Sequence, residues 1–241
     1  LPIWFVAFSE LCGVIQDALN CTQQKHLGLL LGSHEGQISI GILGFAMQAC
    51  KTVAEALETA LQYHPISGSV LDLSVHLSQD YCEIELIERS DCGPLKAFFC
   101  DEVFASIMTC LNMMLDRDYE LISLELSYDH SAYSQDYQRI FQCPILFKSN
   151  RNLIRFPNTL LAKTLKNHSP ANYQIAIQMC QQALKQFNQI NQHSIVQVLQ
   201  HLIESHLPER FDMHQAAQHF HLSERHLRRL LLNDGLSFQH L

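Results

Sequence analysis

Apolar residues recur at helical spacing over residues 5–19 and 52–63, and both stretches are expected to be helices. Pro65, Ile66, Ser67 and Gly68 then supply turn chemistry. Over 70–77 the period changes to two: Leu71, Leu73, Val75 and Leu77 alternate with Val70, Asp72, Ser74 and His76, as in a half-buried strand. Residues 81–87 follow as its hairpin partner, with 78–80 as the turn. A long helix is expected over 94–115, with Phe99, Val103, Ile107, Leu111 and Met114 on one stripe. A strand at 121–126 and a helix at 132–141 come next. Residues 145–147 and 152–156 read as a second short strand pair, and 172–190 as a helix. This order argues for an α+β domain with a mixed or antiparallel sheet.

The remainder of the chain is expected to be all helical, over 194–207, 212–220 and 223–233. Asp212 can cap the second of these helices, and Ser223 the third. Met213, Ala217 and Phe220 on one helix face Leu222, Leu227, Leu230 and Leu231 on the other, and Ala216 and Ala217 allow a close crossing. That is the pattern of a helix-turn-helix. At 100° per residue, Arg225, Arg228 and Arg229 share one arc of about 100°, opposite Leu227, Leu230 and Leu231. Three Arg on the outer face of such a helix suit the major groove, where Arg pairs bidentately with guanine. Without that frame, a triple-Arg stripe reads more simply as a solvated face.

The helix over 172–190 carries Tyr173, Ile177, Cys180, Leu184 and Phe187 at spacings of four and three, with a second series at Ala176, Cys180, Ala183, Phe187 and Ile190. A stripe this wide can serve its own domain, a partner subunit or both. Tyr173, Ile177, Leu184 and Phe187 are the candidate contacts of a homodimer. The polar stretch 188–193 is the candidate boundary, dividing the chain into residues 1–190 and 194–241.

Composition narrows the choice of function. The chain has 241 residues, 47% of them hydrophobic and 17% charged, which is a globular composition. The net charge of −8 excludes a uniformly basic nucleic-acid coat but permits a local basic face. No uninterrupted apolar run reaches the roughly 18 residues of a membrane helix. Residues 1–8 have no basic lead-in and are read as the start of a trimmed fragment. The nine cysteines include no Cys-x-x-Cys pair, and buried reduced thiols in a cytoplasmic protein are the simplest reading. His214, His219, His221 and His226 lack the partners and spacing of a metal site, so neither metal nor cofactor is expected. Gly-rich phosphate loops, G-x-S-x-G and H-E-x-x-H are all missing, which argues against an enzyme.

The segment FDMHQAAQHFHLSERHLRRLLLNDGLSFQHL resembles the first helix-turn-helix of the AraC/XylS family of transcriptional regulators, through Ala217, Leu222, Ser223, Leu227, Arg229, Gly235, Ser237 and Phe238. The resemblance implies that Ser223 begins the recognition helix and that Arg225, Arg228 and Arg229 stand at base-contacting positions. Two such units are usual in the family, and this sequence reaches only the start of the helix that joins them. HLGLLLG, IGILGFAMQACKTVAEALETALQYH and YQRIFQCPILFKSNRNLIRFP are similar to the N-terminal effector domain of one branch of the family. That domain is often labelled arabinose-binding, a label that does not identify the ligand. His221 and Gln142 depart from the pattern, since Gly is frequent at both positions.

The resemblance implies a ligand-responsive, cytoplasmic regulator whose partners are promoter DNA, a small-molecule effector, RNA polymerase and a second copy of the chain, with no membrane. Phe98 and Phe99, with Phe104, Met108 and Met113 on the same helix, are candidates to line an apolar pocket, or are simply core. Arg139, Arg151 and Arg155 could hold an anionic effector, or could pair with acidic neighbours; of these, Arg139 and Arg155 complete the candidate ligand-binding set. The rival to the sensor is a pure dimerisation or interaction module, which a closed core without a pocket would favour.

Overall fold

The computed structural model describes residues 8–22, 24, 26–205, 212–219, 223–233 and 236–238. Two compact units are present, Leu1–Cys180 and Gln181–Leu241.

The first unit opens with four helices, α1 (Phe8–Thr22), α2 (Leu27–Ser39), α3 (Gly41–Ala49) and α4 (Val53–Tyr63). Thr52 caps α4, its hydroxyl accepting the Glu55 N–H at 3.3 Å. The expected hairpin follows as β1 (Leu71–Leu77) and β2 (Tyr81–Glu88), paired antiparallel. After a 3-10 turn at Gly93–Leu95 come α5 (Lys96–Leu115), β3 (Ser123–Glu125), α6 (Ser134–Phe141), β4 (Ile145–Leu146) and β5 (Leu153–Pro157). The helices α2 and α3 are additions to the sequence reading, which assigned no element there.

The sheet is mixed, in the order β1-β2-β5-β3-β4, and only β3 and β4 run parallel. This corrects the expected pairing of 145–147 with 152–156. Both edges of β5 are taken, by β2 and β3, so β4 adds to the far side of β3. The register aligns Val75, Ile84, Ile154, Leu124 and Ile145 in one row across all five strands. Because side chains alternate along a strand, the other face carries a polar row of His76, Glu83, Arg155 and Ser123. The apolar face joins a core in which Leu71, Leu124, Leu126, Ile154 and Phe104 are fully buried.

Of the described helices, α5 is long and apolar enough to cross a membrane by length and composition alone. Here it is the core helix, with Phe98, Phe104, Ala105, Met108 and Leu111 buried in the first unit. It lies against α2 at close range because α2 presents Gly28 and Gly32 to it. A Cβ on Gly28 would collide with the Phe98 carbonyl, and one on Gly32 with the Glu102 carbonyl.

The last helix of this unit, α7 (Pro170–Ser205), runs on past the stretch 188–193 that was expected to be a boundary. Asn and Gln are tolerated in helices, and neither Gly nor Pro occurs between Pro170 and Pro208 to end it. The two units divide inside α7, between Cys180 and Gln181. The second unit continues with α8 (Met213–His219) and α9 (Glu224–Asn233).

Gln142 ends α6 with φ 50° and ψ 34°, its N–H returning to the Gln138 carbonyl at 3.0 Å. This left-handed cap is where glycine is ordinarily favoured. A non-glycine residue there costs roughly 1–2 kcal/mol, of which a glycine returns part through the freer unfolded chain. Gln142→Gly should therefore raise the stability of the domain by about 0.5–1 kcal/mol. Urea unfolding checks this, and a destabilised variant would show that the Gln142 side chain contributes more than its backbone costs.

Candidate functional site

The first unit holds a cavity of about 350 Å3 between its helices and the apolar face of the sheet. Its wall is mainly apolar. The stripe read from the sequence, Phe99, Val103, Ile107, Leu111 and Met114, lies along it in full. Leu43 and Met47 of α3, Ala56 and Ala60 of α4, and Ile84 and Phe156 of the sheet help to close it. A volume of this size falls at the lower end of small-molecule sites.

The candidate ligand residues separate. Phe98 and Phe99 line the cavity, whereas Phe104 and Met108 are buried in the core away from it, and Met113 is 38% exposed. Arg155 does not reach the cavity, because strand alternation turns it to the polar face. There it is bonded to Glu83 (Nε to Oε1, 2.8 Å) and Ser123 (3.1 Å), and it stacks over Tyr81. Arg151 forms a fork with Glu85 at 3.0 and 2.7 Å, which holds the Glu85 carboxyl below its usual range. Arg139 pairs with Asp136 one turn earlier on α6, at 2.8 Å, and is mostly exposed. All three Arg are engaged with carboxylates.

The sequence reading missed Glu102 and Ser106, which sit one turn apart on α5 and both line the cavity. The Ser106 hydroxyl donates to Glu102 Oε1 at 3.1 Å. No Lys or Arg pairs with Glu102 among the described residues. Burial raises the Glu102 carboxyl above its ordinary pKa, with only the Ser106 bond opposing the shift. The adjacent Asp101 is 1% exposed and has the opposite fate. It accepts from Tyr128 at 2.5 Å and from Tyr137 at 2.7 Å, and His130 Nδ1 lies 3.2 Å away. Neighbours in sequence, the two acids face different surroundings because consecutive helix positions diverge by 100°.

In the second unit, Leu199, Ala216, Ala217, Leu227 and Leu231 form a small buried core, with Ile203, Met213 and Phe238 against it. Asp212 and Gln215 cap α8 reciprocally: Gln215 N–H to Asp212 Oδ1, and Asp212 N–H to Gln215 Oε1, both at 2.9 Å. Ser223 caps α9, its hydroxyl accepting the His226 N–H at 3.2 Å. Arg225, Arg228 and Arg229 are exposed on α9, opposite buried Leu227 and Leu231, and none is in an ion pair among the described residues. His221 and its turn, with Phe220 and Leu222, lie outside the described residues.

On α7, Tyr173 turns inward. It packs on the core of its own unit, and its hydroxyl lies 3.3 Å from that of Thr59. Ala176 and Cys180 are buried beside it, while Ile175 and Met179 are exposed. Ile177, Leu184 and Phe187 are half-buried. The candidate dimer stripe is therefore split, because Tyr173 belongs to the domain's own packing.

The Glu102 environment sets a pH dependence. A carboxyl whose pKa is raised on folding penalises the fold above that raised value. The penalty disappears as pH falls below the unfolded value, about 4.3. Glu102→Gln should therefore raise the melting temperature of the ligand-free protein near pH 7, with the gain shrinking toward about pH 4. Thermal unfolding of both proteins at the two pH values measures this, and an equal effect at both would show that charge on Glu102 is not the cause.

Residues 4–165 match the family described as "Arabinose-binding domain of AraC transcription regulator, N-term". Among curated proteins, the chain is 24% identical over 213 residues to the ornithine utilization regulator of Pseudomonas aeruginosa, covering 88% of this chain and 62% of that protein. It is 20% identical over 221 residues to the HTH-type transcriptional regulator VqsM of the same organism, covering 89% and 67%. With an HTH-type transcriptional regulator of Mycobacterium tuberculosis it shares 24% identity over 240 residues, covering 98% and 69%. The chain thus spans roughly two thirds of these relatives. The crystal structure of the transcriptional regulator CdpR from Pseudomonas aeruginosa shares its fold, with a TM-score of 0.58 at 17% identity over 99% of this chain and 82% of that one. By its matched domain, the chain belongs to the AraC transcription regulators that carry the arabinose-binding domain at their N-terminus.

Proposed function

We propose that this chain is the sensing and first DNA-reading portion of a cytoplasmic, ligand-responsive transcription regulator. The observation that carries the reading is the pairing of two features in one chain. One unit contains a preformed, largely apolar cavity. The other presents a capped helix with Arg225, Arg228 and Arg229 exposed and unpaired among the described residues. A cavity favours sensing over a pure interaction module, whose core has no need to stay open. Effector binding would act by shifting the balance between arrangements of the DNA-reading units. RNA polymerase is the partner through which bound promoter DNA is read out.

The regulator would act as a homodimer, whose symmetry is mirrored in its half-sites. Exposed Ile175 and Met179 and half-buried Ile177 and Leu184 on α7 are the contacts available to it, while Tyr173 is already used. Analytical ultracentrifugation at tens of micromolar reads this assembly, and a monomer would refute it.

DNA recognition is tested in the full-length protein. Arg225→Ala and Arg228→Ala should each cost about 1–3 kcal/mol at one base pair and relax specificity there. Fluorescence anisotropy on a labelled promoter fragment and its point variants measures both effects. Operator binding unchanged in both variants would remove α9 from the role of recognition helix.

A further inference from the structure

The polar groups around the cavity are not equivalent. At the end formed by residues 64–69, the groups are already bonded to one another and to the backbone. His64 Nε2 lies 2.7 Å from the Leu71 carbonyl, Ser67 Oγ accepts the Ser69 N–H at 3.2 Å, and Ser69 donates to Leu71 O at 3.1 Å. On α5 the situation is different. Glu102 Oε1 accepts from Ser106, but Oε2 accepts nothing among the described residues. Among the described residues, no Lys or Arg lines the cavity. A carboxylate among apolar side chains with neither a cation nor a full set of donors is costly to hold in place. A ligand that brings the missing donor removes that cost.

We propose that the cavity takes an amphiphilic amine, with an apolar body of alkyl or aryl carbon against Phe99, Val103, Ile107 and Leu111 and one ammonium group bonded to Glu102 Oε2. This rests on the reading of the cavity as the effector site. Other ligand classes fit the wall less well. A sugar needs a hydrogen-bond partner for each hydroxyl, and the wall offers few uncommitted ones. A zwitterionic amino acid such as ornithine would bring a carboxylate for which the described residues of the wall supply no cation. A fatty acid would place a second carboxylate beside Glu102, where like charges repel.

Isothermal titration of the purified chain with n-octylamine, n-octanol and n-octanoate at neutral pH separates these classes. Octylamine should bind at least about tenfold more tightly than octanol, and octanoate most weakly. In Glu102→Gln the amine should fall to the level of the alcohol, while the alcohol is unchanged. Absence of amine binding, octanoate binding as tightly as the amine, or a preference that survives Glu102→Gln would each overturn the ligand class. Ile107→Trp fills the cavity and should abolish binding of all three probes; Ala60→Phe serves the same purpose should the first variant fail to fold. Wild-type binding of the probes by a folded, filled variant would instead overturn the cavity as the effector site.

Discussion

The close approach of α2 to α5 is the constraint on which the rest of the first unit depends. Gly28 and Gly32 stand four residues apart, so they occupy one face of α2, and both meet backbone carbonyls of α5. Thr109 ties the same contact with a hydroxyl donated to the Gly32 carbonyl at 3.0 Å. Held this way, α5 can divide its remaining surface. Phe104, Ala105 and Met108 go to the core, the Phe99 to Met114 stripe goes to the cavity, and Asp101 goes to the tyrosines around α6.

That division explains the contrast between Asp101 and Glu102. Asp101 sits in a closed polar cluster in which Tyr128 and Tyr137 donate to it, and burial beside its charge pushes both phenols up and keeps them protonated. Such a cluster anchors α5 to the segment leading into α6. Glu102 has one donor among the described residues, the Ser106 hydroxyl, and lines the mainly apolar cavity. Since both acids are on one helix, occupancy of the cavity bears on the same element that the polar cluster holds.

Much of this was legible in the sequence. The alternation at 71–77 and the stripe from Phe99 to Met114 survive almost unchanged, because strong periodicity reports burial directly. The caps at Asp212 and Ser223 and the outward Arg225, Arg228 and Arg229 were legible for the same local reason. Long-range pairing was not. Nothing local tells Ile145 to join β3 and leave β5 to β2, and nothing local shows that Arg155 lies on the far side of the sheet from the cavity. The Gly28 and Gly32 spacing was visible but gains meaning only once a partner backbone is placed against it. Glu102 was hidden inside a helix otherwise read for its apolar positions, although the Asp101-Glu102 pair in that apolar helix was the signal available. Gln142 departs from a position where glycine is common, and its left-handed backbone supplies the reason.

The α2–α5 contact is tested most directly by Gly32→Ala in urea unfolding. Helix propensity alone predicts that alanine stabilises α2 by about 1 kcal/mol. The close contact predicts the opposite sign, because the new methyl would meet the Glu102 carbonyl and come within 2.8 Å of the Ala105 Cβ. We expect a loss of about 2–3 kcal/mol. A variant as stable as the parent, or more so, would contradict the claim that backbone proximity at Gly32 holds the first unit together.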